Sequence, residues 1–106
     1  MIRKSFRMTL KDGKIDEYKK KHDEVWPEIS KALTNAGVTN YSIYFDKKDN
    51  TLIEYMELKE SNTFDKLEEL DILKKWNFYM KDLLVTISED DATPVVNELV
   101  EVFHHN

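Results

Sequence analysis

Hydrophobic and polar positions change period along this chain in a readable order. Ile2, Phe6, Met8 and Leu10 alternate with Arg3, Ser5, Arg7 and Thr9. A period of two predicts a strand with one buried face, and Lys4 is the single lapse in its apolar set. Asp12-Gly13 ends the strand, and Asp12 is placed to cap a following helix. Helical spacing then runs to about Asn35, with Gly37 as a C-terminal stop. Tyr41, Ile43 and Phe45 alternate with Ser42 and Tyr44 in a second strand. A polar turn over 46–50 leads into a third strand, Leu52 to Leu58, antiparallel to the second by hairpin logic. Ser61 or Asn62 is placed to cap a short helix carrying Phe64, Leu67 and Leu70. A second helical stretch follows with Ile72, Leu73, Trp76, Tyr79, Met80, Leu83 and Leu84. The acids and proline of Ser88 to Pro94 read as a loop, and Val95 to Phe103 as a fourth strand.

The order is β-α-β-β-α-β, an α+β chain in the ferredoxin-like arrangement. Four antiparallel strands then carry their helices on one face. The other face also needs cover, because both residue sets of the last strand hold apolar members. In a chain of 106 residues, which fits one domain spanning 1–106, a second copy is the expected cover. The expectation is a homodimer with two sheets facing each other.

The first helical region carries an anomaly. At about 100° per residue, Ile15, Val25, Ile29, Ala32, Leu33 and Ala36 fall within roughly 60° of Tyr18. His22 lies in the same stripe, about 40° from Tyr18, while Asp16, Lys19, Lys20, Asp23 and Glu24 lie opposite. A phenol and an imidazole therefore aim at the interior one turn apart. Buried polar groups cost free energy unless paired. Either the core satisfies them, the commoner outcome for such a pair, or they line a space that a polar ligand enters. Pro27 follows, and its ring is expected to kink or interrupt the helix just after His22.

Charge and composition narrow the classes. A net charge of −5 argues against nonspecific nucleic-acid binding, which needs a basic face. There is no cysteine, hence no disulfide or thiolate chemistry. No apolar run approaches the roughly 20 residues of a membrane span, and no apolar segment follows the charges of Met1 to Ser5. A cytoplasmic protein without a membrane partner is expected. The adjacent His104 and His105 do not converge on one ion, so no metal site is expected. Without a Gly-rich phosphate loop, no nucleotide cofactor is expected either.

What remains is His22 among aromatics: Tyr18, Trp26, Tyr41, Tyr44, Tyr55, Trp76, Phe78 and Tyr79. Tyr and Trp offer a flat apolar surface and a polar handle. A site lined by them suits a small polyol such as a sugar. Histidine near its ordinary pKa of about 6.5 gives and takes protons at neutral pH.

Five blocks, in order along nearly the whole chain, match one family. They are Ile2-Arg3-Lys4-Ser5-Phe6-Arg7-Met8, then Glu17-Tyr18 with His22 and Val25-Trp26-Pro27-Glu28. Next come Asn40-Tyr41-Ser42-Ile43-Tyr44-Phe45-Asp46, Lys75-Trp76 with Tyr79-Met80, and Pro94-Val95 with Glu98-Leu99-Val100-Glu101-Val102-Phe103. On these blocks the chain resembles the L-rhamnose mutarotases. The resemblance implies a dimeric α+β barrel that interconverts the α and β anomers of L-rhamnose without a cofactor. It implies that His22 is the proton donor, and that Tyr18, Tyr41 and a Trp pair contact the sugar. The first Trp of that pair is Trp76, but the second position is Asn77, which cannot stack yet can hydrogen-bond a hydroxyl.

On this reading His22 acts as general acid toward the ring oxygen and as base on reclosure. The group that takes the anomeric proton stays open between a water and a carboxylate such as Glu98 or Glu101. Two rivals share the fold: a noncatalytic ligand-binding dimer with His22 a core residue, and a cofactor-free oxygenase.

Overall fold

The computed structural model describes residues 1–106. Strands β1 (Ile2–Thr9), β2 (Val38–Asp46), β3 (Thr51–Leu58) and the short β6 (Asn97–Leu99) form one sheet in the order β2-β3-β1-β6, with every pairing antiparallel. Helices α1 (Ile15–Asp23), α2 (Pro27–Asn35) and α3 (Asp71–Met80), with a 3-10 segment over Phe64–Glu69, complete the ferredoxin-like α+β arrangement. Alternation decides which side chains face the helices. Met8 and Leu10 from the first strand region and Leu52 from β3 pack with Tyr18 of α1, Ile29 of α2, and Trp76 and Met80 of α3. A second cluster holds Val38, Met56, Leu58, Ala36 and Leu67.

The first helical region is two helices rather than one long one. Pro27 occupies the first turn of α2, where its missing N–H costs nothing. Trp26, at the start of α2, is extended (φ −62°, ψ 136°), and its carbonyl accepts the N–H groups of Ile29 and Ser30 at 3.0 and 3.3 Å. The chain therefore turns between His22 and Ile29, and one helical wheel does not describe both sides of it. Asp12 does not cap α1. Lys14 stands at that position without a side-chain bond, and Asp12 accepts instead from the Asn50 amide. Asn62, by contrast, accepts the N–H of Phe64 at 3.1 Å and so opens the 3-10 segment.

Gly37 stops α2 as expected, with φ +87° and its N–H on the Thr34 carbonyl at 3.0 Å. A Cβ there would lie 3.1 Å from that of Asn62. A register shift between Thr39 and Ser42 then inserts one extra residue into β2, at Asn40 with φ +50°. The bulge reverses the alternation. Val38 faces the helices before it, and Tyr41, Ile43 and Phe45 face them after it.

The C-terminal quarter departs from the sequence pattern. Ser88 to Pro94 is not a loop. Thr86–Ser88 (β4) and Asp91–Pro94 (β5) form a small hairpin whose acids sit at the turn, with Pro94 at an edge that tolerates it. The fourth sheet strand is only Asn97–Leu99 instead of Val95 to Phe103. Its register would set Glu101 opposite Arg3, and there the two side chains pair (2.8 and 3.2 Å) in place of a continued ladder. No helix is long and apolar enough to cross a membrane.

Candidate active site

Helix α1 delivers Tyr18 and His22 to the same face because four residues make one turn. Tyr18 is 5% exposed and belongs to the core, while His22 is partly buried. His22 Nδ1 lies 3.1 Å from the Tyr18 carbonyl oxygen. A carbonyl can only accept, so Nδ1 carries the hydrogen and Nε2 is the free nitrogen of the neutral ring. The Tyr18 ring sits 4.3 Å from the imidazole, and Trp76 meets the imidazole edge-on at 5.5 Å and 88°.

The aromatic wall continues outward from there. Trp26 packs edge-on against Trp76 (5.0 Å, 84°), and Tyr79 touches both indoles at 5.0 and 5.6 Å. Trp26 reaches this position because the chain turns at the α1–α2 break. Trp76 and Tyr79 come from one face of α3. The Lys21 ammonium covers the Tyr79 ring at 4.0 Å and donates to the Tyr79 carbonyl at 3.0 Å, tying α1 to α3.

Opposite α1, the sheet contributes Tyr41 and Glu54. The Tyr41 hydroxyl donates to Glu54 Oε2. Glu54 pairs across the sheet with Ile43 and Phe6, both packed against the cores, so its side chain faces the helices. Its field acts on Tyr18 as well as on Tyr41.

Burial sets the protonation states. Desolvation lowers the His22 pKa from 6.5, against the opposing pull of the Tyr18 carbonyl and of Asp23. Desolvation raises the Glu54 pKa from 4.5, partly offset by the Tyr41 hydrogen bond. Both phenols are pushed up, first by burial and then by the Glu54 charge.

No protein group is bonded to the Tyr18 hydroxyl, to His22 Nε2 or to the indole N–H of Trp76. No side-chain polar atom sealed from solvent lacks a partner, so these ends open to solvent. Three polar tips unclaimed by the fold are therefore carried on one run of touching rings.

The structure thus brings together His22, Tyr18 and Trp76, and joins Tyr41 to them through Glu54. It does not bring in Asn77. That residue turns about 100° away from Trp76 along α3 and lines a groove of about 430 Å³ with Lys74, Phe78 and residues of the β4–β5 hairpin. Glu54 is the residue that sequence reasoning missed. Its signal was an acid inside the inward set Leu52, Met56 and Leu58, the same kind of lapse as Lys4 in β1. Glu98 and Glu101 are engaged in exposed ion pairs with Lys4 and Arg3.

Comparisons with known proteins converge. The family model described as L-rhamnose mutarotase matches residues 3–105. The L-rhamnose mutarotase of Clostridium beijerinckii is 41% identical over 104 residues, covering 98% of each chain. That of Oceanobacillus iheyensis is 43% identical over the same extent. Among solved structures, an L-rhamnose mutarotase from Formosa agariphila superposes over the full length of both chains with a TM-score of 0.89 at 33% identity. A dimeric ferredoxin-like protein from an uncultured marine organism shares the fold alone, with a TM-score of 0.57, 16% identity, and 97% and 96% of the two chains covered. The chain belongs to the L-rhamnose mutarotase family.

Proposed function

We propose that this protein interconverts the α and β anomers of L-rhamnose by acid–base ring opening and reclosure, as a cofactor-independent cytoplasmic homodimer of one domain over 1–106. The observation that carries the reading is the trio of unpartnered polar tips, on Tyr18, His22 and Trp76, set on a wall of rings. A sugar offers C–H faces to such a wall and hydroxyls to the tips. The C5 methyl of rhamnose belongs against Trp26, Trp76 or Tyr79.

In this reading His22 is the proton donor. Its Nδ1 is committed to the Tyr18 carbonyl. The same Nε2 therefore gives a proton to the ring oxygen as C1–O5 breaks and recovers it on closure. A lowered pKa makes the imidazolium a stronger acid at the cost of its population, a balance that favours a value near working pH. Tyr18 keeps its proton and donates to the sugar. Tyr41 meets the sugar from the sheet side, while Asn77, turned to the separate groove beside the β4–β5 hairpin, takes no part in this reading. General acid–base catalysis supplies about 10²–10⁴-fold, which suffices for a ring that opens unaided in water.

The homodimer rests on surface that has no other cover. Val100, Val102 and Phe103 are 83%, 93% and 79% exposed on a C-terminal arm anchored by the Arg3–Glu101 fork. Beside it lies the helix-free sheet face with Tyr44, Ile53, Tyr55 and Leu99. Burying such side chains is worth about 1.5–3 kcal/mol each, and a second copy buries both sets at once.

The test is exchange NMR on equilibrated L-rhamnose. Faster exchange between the two anomeric protons with added protein supports the assignment. No acceleration for L-rhamnose or related 6-deoxy sugars removes it.

A further inference from the structure

We propose that Glu54 is the second proton-transfer group of this site, the one that takes the anomeric hydroxyl proton while His22 serves the ring oxygen. The inference rests on the mutarotase reading.

Ring opening moves two protons, one on to the ring oxygen and one off the anomeric oxygen. His22 has one free nitrogen and so serves one of them. The second group must be a base near neutral pH and must face the same space. Tyr18 and Tyr41 hold their protons too tightly. Glu98 and Glu101 are spent on exposed ion pairs. Glu54 fits on geometry. It lies on the helix-facing side of β3, with Oε2 held by the Tyr41 hydroxyl and Oε1 bonded to no protein group. Across from it is Tyr18, whose ring lies against that of His22. A carboxylate with one oxygen steered and the other free is an acceptor awaiting a donor.

The electrostatic surroundings are few. On β2 the neighbour is Tyr41, and on α1 it is Tyr18. On β1 the only charge on that face is Lys4, already engaged by Glu98 of β6. No cation pairs with Glu54, and the next titratable group on that face of α1 is His22, whose ring lies against that of Tyr18.

The step balances on these two groups. Glu54 takes the proton from O1, and the O1–H electrons form the C1=O1 bond. The C1–O5 pair moves on to O5, which takes the Nε2 proton of the imidazolium. Glu54 is then neutral and His22 is neutral. After rotation about C1–C2, closure runs the same transfers backwards on the other face. One proton shared by the pair suffices for the whole cycle. Tyr41 is a positioning residue that fixes the Glu54 carboxylate and favours its charged form.

The experiment compares wild type, Glu54→Gln and Tyr41→Phe in anomer exchange across pH. Glu54→Gln is expected to lower kcat by about 10²-fold or more, leave KM within about threefold, and erase the acid limb of the pH profile. Tyr41→Phe is expected to move that limb to higher pH, since the bond it removes holds the Glu54 pKa down. An unchanged kcat, or an effect confined to KM, overturns the proposal and makes Glu54 a hydroxyl-binding or structural residue. An inactive wild type instead overturns the mutarotase reading. The pair is then judged on the wild-type protein by a 13C-carboxyl NMR titration of Glu54. A second step at the pH where His22 titrates, absent in His22→Ala, supports proton sharing. A single step unmoved by that replacement refutes it.

Discussion

Replacing His22 by Ala separates a catalytic imidazole from a packed one, because the structure assigns different sizes to the two losses. On the stability side, the variant loses the Nδ1–H bond to the Tyr18 carbonyl, a net contribution of about 0.5–1.5 kcal/mol. It also loses the edge contact with Trp76, worth about 0.5–1.5 kcal/mol. Against these stand the better helix propensity of Ala, by about 0.5 kcal/mol, and relief from burying an imidazole. The Tyr18 carbonyl keeps its place in the backbone ladder of α1, so no buried acceptor is orphaned. The net cost is about 1 kcal/mol, or roughly 4–8 °C in Tm for a domain of this size. On the activity side, loss of the acid costs about 10²–10⁴-fold in kcat, equal to about 2.7–5.4 kcal/mol at 1.36 kcal/mol per tenfold. Exchange NMR and urea denaturation on the same sample read both. A variant that stays folded and loses exchange supports the assignment. One that loses more than about 3 kcal/mol of stability, yet exchanges normally per folded molecule, makes His22 a core residue and refutes the reasoning.

Three further outcomes are expected. The pH profile of kcat/KM has two limbs. The imidazolium is lost as pH rises through the His22 value, which burial holds below 6.5, and the Glu54 carboxylate is lost as pH falls through a value held above 4.5; activity therefore peaks on the acid side of neutrality, and a rate still rising at pH 8 contradicts both assignments. Truncation after Leu99 removes the Val100, Val102 and Phe103 arm and is expected to convert a dimer to monomer in sedimentation velocity, whereas an unchanged dimer places the contact elsewhere. Pro27→Ala is expected to change stability in urea by less than about 0.5 kcal/mol, because Pro27 sits at the start of α2 rather than inside a helix, where its removal would stabilise by about 3 kcal/mol.

Most of the sheet and half of the site were legible because single periods governed them. Alternation placed β1, β2 and β3, and the helical stripe placed Tyr18 beside His22. Legibility failed where one residue changed the rule. Asn40 adds a residue to β2 before Tyr41, so the alternation that put Tyr41, Ile43 and Phe45 on one face holds after the bulge but does not reach back to Val38. Pro27 interrupts the helical region, one of the two outcomes expected of it, by starting a second helix, so a wheel drawn through it carries no meaning beyond Asp23. The same break accounts for Trp26, whose partners Trp76 and Tyr79 lie some 50 residues on in the sequence, where no local pattern points. Asn77 shows the converse error: adjacency to Trp76 in sequence suggested a shared site, yet neighbours on a helix diverge by about 100°. Glu54 was visible only as a fault in an otherwise apolar strand face. A fault of that kind has two remedies, a neutralising partner or a ligand. Lys4 shows the first, being paired with Glu98 at the sheet edge. Glu54 has a phenol on one oxygen and no cation, which leaves the other oxygen to the second. An acid that the fold buries without a counter-ion is the position where a sequence pattern breaks and where proton chemistry has a reason to be.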